Sequence, residues 1–317
     1  MSTVSISLFN ATGLPKQAIS PILKLAESSS VLLITESWLL PPNKYPTSWK
    51  QFHTYGQPIQ SFKHRGSLGI ALLINPLTSA TVQHIPHKNP LLAKYTLSFI
   101  ISKILVHCLY LPPSLSHTEV SNILQQLPLE FPNTTSTIVC GDLNARMGIY
   151  TGDTLFNYRG RLLHDWIQSN NMITWNERLK YGHPTSITYH GNSIIDYFIS
   201  TTELIEPQLV IRDDLSLDSN HKFMMLSFQT NIPSSNLLPP KRLTWHLGKL
   251  KDDKKETTYQ QVFTNLTADL IPHPPPLLPN RSSAINYIED FNSAICQAIY
   301  QSLDQNTITE NGEKHKG

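Results

Sequence analysis

Thr137-Ile138-Val139-Cys140-Gly141-Asp142-Leu143-Asn144-Ala145-Arg146 is the stretch that decides the fold. Its apolar, β-branched start reads as a buried strand. Gly141 ends the run, and a carboxylate and a carboxamide follow it two positions apart. A loop at a strand end can aim both groups at one point while the strand holds them rigid. Such a pair suits a hard metal ion and a phosphate oxygen. Asp and Asn after a strand are also ordinary turn formers. The other polar strand ends have to decide between the two readings.

The chain has 317 residues, of which 40% are apolar, so it can bury a sizeable core. A net charge of +2 is too weak to announce a nucleic-acid binder. Cys108, Cys140 and Cys296 are far apart, two of them inside apolar runs; buried thiols in a reducing compartment are expected rather than disulfides. Neither a CxxC pair nor a zinc-type Cys/His spacing occurs. Met1 to Val4 runs straight into a strand pattern, so no signal peptide is expected, and no apolar run approaches the roughly 20 residues of a membrane helix. The expectation is a soluble, intracellular protein.

Working outward from Asp142, strands are expected at Val4 to Phe9, Val31 to Ile34, Gly66 to Ile74, Tyr95 to Ile101, Lys103 to Leu109, Met172 to Trp175, Pro184 to Tyr189, Ser193 to Ser200 and Phe223 to Phe228. Helical spacing marks Ile19 to Ala26, a helix opened by Ser116 or Thr118, and Arg161 to Asn170. Pro41-Pro42 opens what reads as a long irregular loop through Tyr55. Many strands with few helices and no regular alternation suggest a layered α/β sandwich rather than a doubly wound sheet. Composition changes near residue 230. The sequence therefore predicts a domain over 1–230, a Pro/Ser linker over 231–241, a helical connector over 242–305 and a flexible tail over 306–317.

Six strand ends carry polar groups: Asn10, Glu36, Tyr110, Asp142 with Asn144, Asp196, and His221. Asp196 stands out, because a carboxylate inside the apolar run Ile194 to Ile199 needs a partner. Together these groups are what metal-assisted phosphodiester hydrolysis requires. The ordered blocks Asn10-Ala-Thr-Gly-Leu14, Glu36-Ser-Trp38, Tyr110-Leu-Pro-Pro113, Gly141-Asp-Leu-Asn144-Ala-Arg146, Pro184-Thr185, Ile195-Asp196-Tyr197 and Ser219-Asn-His221 resemble the endonuclease/exonuclease/phosphatase superfamily, which includes pancreatic deoxyribonuclease and the apurinic-site exonucleases. The similarity runs from about Val4 to Phe228. Within the superfamily it looks most like the endonuclease domain of non-LTR (LINE-type) retrotransposons. Gly160-Arg161-Leu162-Leu163 leading to Asn170-Asn171 contributes to that likeness, and the segment from Arg242-Leu-Thr-Trp245 looks like the connector such elements place before a reverse transcriptase. No polymerase sequence follows, so the resemblance implies a fragment or remnant of such an element.

The resemblance implies a four-layer, DNase I-like sandwich of two β-sheets flanked by helices, with DNA as substrate, Mg²⁺ (or Mn²⁺) as cofactor, and a nuclear location. Glu36 is then expected as the main metal ligand, with Asn10 and Asn220 on the metal side. Asp142 would orient or deprotonate the attacking water, and Asn144 would donate to a phosphate oxygen. Asp196 would hold His221 as acid/base or as a stabiliser of charge. Tyr110 would bond the phosphate or the leaving oxygen, and Thr185 and Arg146 would contact phosphate. Lys63, His64, Arg65, Arg159, Arg161 and Lys222 are further candidates for a positive rim. One departure matters: Asn220 stands where the family usually has an acid, and Asp218 is too early to replace it. Impaired catalysis, or a non-catalytic DNA-binding remnant, is therefore a competing expectation. A lipid or inositol phosphodiesterase of the same superfamily is a third.

Overall fold

A computed structural model describes residues 2–14, 18–59, 62–189, 191–213 and 219–230, and beyond them 242–245, 251–268 and parts of 291–316. The chain divides into two compact units, Met1–Asn236 and Leu237–Gly317.

The first unit runs β1 (Ser2–Asn10), α1 (Ile19–Leu25), β2 (Val31–Thr35), β3 (Lys50–Thr54), β4 (Gln57–Ile59), β5 (Phe62–Ser67), β6 (Ile70–Ile74), β7 (Val82–Ile85), α2 (Pro90–Tyr95), β8 (Thr96–Ile101), β9 (Ile104–Tyr110), α3 (His117–Gln126) and β10 (Ser136–Asp142). It continues with α4 (Tyr158–Ser169), β11 (Ile173–Thr174), α5 (Trp175–Lys180), β12 (Ser186–Thr188), β13 (Gly191–Ser193), β14 (Asp196–Ser200), β15 (Ile205–Ile211) and β16 (Met224–Thr230). Two six-stranded sheets result, ordered β15-β16-β1-β2-β6-β3 and β11-β14-β10-β9-β8-β7.

The two sheets share one plan. Each has a single parallel pair at its centre, β1 with β2 and β9 with β10, and antiparallel neighbours outside it. A parallel pair needs a crossover; α1 supplies one and α3 the other. Period-2 alternation then sorts the side chains into layers. Val4, Ile6, Leu8, Val31, Leu33 and Leu72 meet Val106, Cys108, Ile138, Cys140 and Phe198 between the sheets. Phe9, Leu32, Ile34 and Leu73 face Ile19 and Ile22 of α1. Leu109, Val139, Tyr197 and Ile199 face Val120, Ile123, Leu163 and Ile167 of α3 and α4. The architecture is the four-layer α/β sandwich.

Several segments differ from expectation. Lys50–Thr54, expected as loop, is the edge strand beside β6. Only Phe52 of its five residues is apolar, as suits a half-exposed edge. Strand β15 is the opposite edge of the same sheet; Pro207 and a register shift disguise it. The run from Gly66 to Ile74 is two strands, because Leu68 (φ 66°) and Gly69 (φ 94°) turn the chain between them. Trp175 starts a helix instead of closing a strand. Cys108 and Cys140 are buried free thiols facing each other in register, and burial pushes the Cys108 thiol up; Cys296 lies outside the described residues.

The second unit contains β17 (Arg242–Trp245), α6 (Asp253–Thr267), β18 (Gln305–Ile308) and β19 (Lys314–Lys316). Strand β18 pairs antiparallel with both β17 and β19, in a stretch where the sequence predicts a tail without regular structure. Backbone pairing of this kind asks little of the side-chain pattern that sequence reading relies on. Asp252 caps α6 by accepting from Lys254 N–H at 3.1 Å. Tyr259 stacks on Phe263, and Phe263 meets Phe291 edge-on. The 231–241 linker lies outside the described residues. No helix among the described residues is long and apolar enough to cross a membrane.

Candidate active site

The two parallel pairs end side by side. Asn10 is level with Thr35 at the end of β1 and β2, and Tyr110 is level with Asp142 at the end of β9 and β10. Carboxyl ends of parallel strands are where open α/β sheets place their sites; here two such ends face each other. Asp196, opposite Asp142 at the start of β14, joins them. Local backbone geometry turns the groups inward. Gly141 has φ 134°, and a Cβ there would lie 1.9 Å from Leu109 O, so only glycine lets the strand bend before Asp142. Glu36 (φ 50°) and Asn144 (φ 48°) are left-handed non-glycine residues, a strain that recurs at functional sites.

Asn10 links the sheets. Its Nδ2 donates to Glu36 Oε1 at 2.9 Å and to Asp142 Oδ2 at 2.8 Å, while its Oδ1 accepts the Thr12 N–H at 2.9 Å. His221 Nδ1 donates to Asp196 Oδ2 at 2.8 Å, and its Nε2 lies 3.9 Å from Asp142 Oδ2. Ligand atoms of Asp142, Asp196 and His221 all fall within 4.8 Å of one another. Asp196 Oδ1 is buried with no hydrogen-bond partner. Ser219, a motif residue given no role from sequence, donates to Asn10 O at 2.7 Å and accepts the His221 N–H at 3.1 Å.

The electrostatics follow. Burial, reinforced by the Asp196 carboxylate, pushes the Asp142 carboxyl above the ordinary carboxylate range, against the pull of His221 and the Asn144 N–H. Burial alone would lower His221, but the carboxylates of Asp196, Asp142 and Glu36 override it and carry the imidazole up to about 9. Burial, with Glu36 bonded to the phenol, raises Tyr110 and keeps it a neutral O–H donor.

Other expected residues have different duties. Asn10 has its oxygen on Thr12 N–H and its amide on two carboxylates, so it spaces those carboxylates instead of ligating. Asn144 caps Asp142 through its N–H at 3.0 Å, and its amide, expected on a phosphate oxygen, donates to Leu111 O at 3.2 Å. Thr185 is fully buried, and its hydroxyl accepts the N–H of Ile195 and of Asp196 at 3.0 and 3.1 Å. Arg146 is locked on buried Asp153, with further bonds to Thr154 and Asn192 O; the carboxylate fits the guanidinium fork that was expected to hold a phosphate. Buried Arg159 holds the carbonyls of the 111–115 loop, and Lys222 pairs with Asp213. Asn220 is exposed, and its carbonyl accepts the Ile187 N–H. Arg161 is exposed, its guanidinium 5.7 Å from the Phe156 ring. Asp218 and the side chains of Lys63, His64 and Arg65 lie outside the described residues.

The site is flanked by exposed apolar side chains. Ile187 (48% exposed) and Tyr189 (92%) belong to the β12–β13 hairpin region, and Ile149, Leu155 and Tyr181 stand exposed on the neighbouring connections. Arg146 donates to Asn192 O, and Asp153 accepts the Ile194 N–H at 2.8 Å.

Known proteins share this fold. Residues 104–225 match the family model described as endonuclease-reverse transcriptase. No curated protein matches the chain. Solved structures with the same fold include an AP endonuclease from Archaeoglobus fulgidus (14% identity, TM-score 0.53) and the 3′-5′ exonuclease NExo from Neisseria meningitidis (12%, 0.57). The endonuclease domain of TRAS1, a telomere-specific non-LTR retrotransposon, is similar at 15% identity and TM-score 0.52. Each covers 72% of this chain and 100% of its own. The family match thus covers residues 104–225 of the 317, and the solved structures, at 12–15% identity, share the four-layer fold of this chain.

Proposed function

We propose that the chain is a Mg²⁺-dependent DNA endonuclease of retrotransposon type, nicking one strand and leaving a 3′-hydroxyl able to prime reverse transcription. One observation carries the reading: Asn10 holds Glu36 and Asp142 together across the sheet junction, beside the Asp196–His221 pair. The donor set fits a divalent cation. Glu36, Asp142 and Asp196 offer carboxylate oxygens, and Asp196 Oδ1 is a buried oxygen lacking a partner. Glu36 with one of the aspartates would hold the ion, which when bound would supply positive charge against the phosphate oxygens.

The protein's own groups divide the remaining work. Asp142 orients a water and takes its proton as the water oxygen attacks phosphorus. The bond from phosphorus to O3′ breaks. His221, doubly protonated at neutral pH, presents Nε2–H to the phosphate or to the departing O3′. Tyr110 donates its O–H to the same region. The exposed Tyr, Ile and Leu side chains around the hairpin suit base stacking and groove insertion, which favours a nucleic acid over a lipid headgroup. The assay is nicking of supercoiled plasmid with Mg²⁺ or Mn²⁺. Activity abolished by Glu36→Ala and by His221→Ala supports the proposal; activity that survives both overturns it.

Asn220 favours a second reading, a DNA-binding protein with a weakened site. A carboxamide beside His221 lacks the charge that draws a cation and lowers the pKa of a nearby water. On this reading the intact protein binds DNA without nicking it, and Asn220→Asp restores cleavage. Equal, low activity in both proteins rejects it.

A further inference from the structure

The edge of β14 next to Asp196 is completed by a side chain. On its outer side β14 pairs with β11, but β11 is only two residues long and reaches only Ile199 and Ser200. The chain then leaves the sheet into α5, and the edge from Asp196 to Phe198 loses its partner strand. Asn176, on the first turn of α5 and fully buried, fills that place. Its Nδ2 donates to Asp196 O at 3.0 Å and its Oδ1 accepts the Phe198 N–H at 3.0 Å. One carboxamide thus makes the two bonds that another strand residue would have made. The Asp196 N–H is held separately by the Thr185 hydroxyl. The backbone of Asp196 is therefore fixed at its N–H, at its C=O and by its pairing with Asp142.

We propose that Asn176 is a positioning residue for the Asp196–His221 pair: it fixes the peptide of Asp196 so that the carboxylate reaches His221 Nδ1 and leaves Nε2 facing Asp142. Only the functional part of this inference rests on the endonuclease reading. The geometry is tight. The Asp196–His221 bond is 2.8 Å, and Asp196 Oδ1 has no bond of its own to keep the carboxylate from rotating. A hydrogen bond weakens steeply with misalignment, so small backbone drift at Asp196 is felt at His221.

Two variants separate positioning from stability. Asn176→Ala removes both bonds. Asn176→Asp, studied at slightly alkaline pH, keeps the acceptor for Phe198 N–H and replaces the donor to Asp196 O, so the edge remains occupied. The readout is the hydrogen-bonded His221 Nδ1–H proton in ¹⁵N-histidine-labelled protein, identified among 13 histidines by its loss in Asp196→Asn. In both variants this proton is expected to exchange with water about tenfold faster, the scale of one lost hydrogen bond. In the nicking assay kcat should fall about tenfold with KM for DNA within about twofold, as for a group acting on the chemical step. A folded Asn176→Asp protein that keeps the wild-type Nδ1–H signal and exchange overturns the proposal, whatever its melting temperature. If wild-type protein does not nick DNA, the endonuclease reading fails, while the exchange measurement still decides the role of Asn176.

Discussion

Arg159 should be worth about 2–4 kcal/mol to the fold through a loop it shapes from behind. Its guanidinium donates to Leu111 O at 3.0 Å, Pro112 O at 3.1 Å, Leu115 O at 2.9 Å and, at 3.4 Å, Pro113 O. The residue is 6% exposed and has no carboxylate in direct contact among the described residues. Burial lowers its pKa, and the negative charge of Asp142 opposes that shift. In Arg159→Met two of the carbonyls keep a partner: Leu111 O retains the Asn144 amide and Pro112 O retains the Leu115 N–H. Leu115 O is orphaned, at a cost of about 1–3 kcal/mol. The bonds lost at Leu111 O and Pro112 O, about 0.5 kcal/mol each because both carbonyls keep a partner, bring the total to about 2–4 kcal/mol, with the long Pro113 contact adding little and the apolar stem of the side chain preserved. For a unit of this size, that corresponds to a melting temperature lower by roughly 4–16 °C. Urea unfolding with a free m-value and scanning calorimetry give the number. Arg159→Lys should recover less than half, because one ammonium cannot span carbonyls that the planar fork reaches together. Arg159→Met within about 0.5 kcal/mol of wild type, or full recovery in Arg159→Lys, would show that the carbonyls are satisfied without the fork.

Three further outcomes are expected. His221 is raised in the folded state to about 9, so its contribution is complete below the ordinary imidazole value of 6.5 and is lost as pH rises from there through about 9; melts in EDTA should decline over that window, and His221→Gln should flatten the decline. His107 is fully buried between Ser98 Oγ at 2.5 Å and Pro128 O at 2.7 Å, and burial lowers it to about 4. Its neutral form is the folded form, so stability should fall as pH drops from 6.5 through about 4; a His107→Gln protein with the same acid slope would refute this. Gly141→Ala should leave little soluble, folded protein, since the methyl would meet Leu109 O at 1.9 Å in a backbone conformation foreign to L-residues; circular dichroism and expression yield read it, and a native-like melt would contradict the close approach.

The inner strands were legible in the sequence because each presents apolar residues on both of its faces. Val31–Thr35 and Ser136–Asp142 touch the inter-sheet core with alternate residues and a helix layer with the others. The edges were not legible, since β3 needs one buried side and β15 carries a proline and a bulge. Helix α2 had an unread signal: Asn89 accepts the Leu91 N–H at 2.8 Å, with Pro90 at the first helical position. At the site, Glu36, Tyr110, Asp142, Asp196 and His221 converge as their positions at strand ends suggested. Sequence spacing could not say whether a polar residue faces the cleft or braces it. Asn10 is chemically suited to a metal ion and Asn144, Thr185 and Arg146 to phosphate, and here they bond to backbone and carboxylates. Asn176 left no trace, because its value depends on β11 stopping after two residues.

The register of β1 has a consequence for synthesis on the ribosome. Ser2 lies opposite Thr230 and Leu8 opposite Met224, so one flank of an inner strand is closed by the last described strand of its unit. At about 5–20 residues per second, roughly ten to forty-five seconds separate translation of the two partners. Until then β1 offers a row of unpaired amides and carbonyls to any neighbouring nascent chain. Chaperone dependence and inclusion-body formation should therefore track the delay between the two ends, and a circular permutant that places β16 directly before β1 should reach the soluble state sooner.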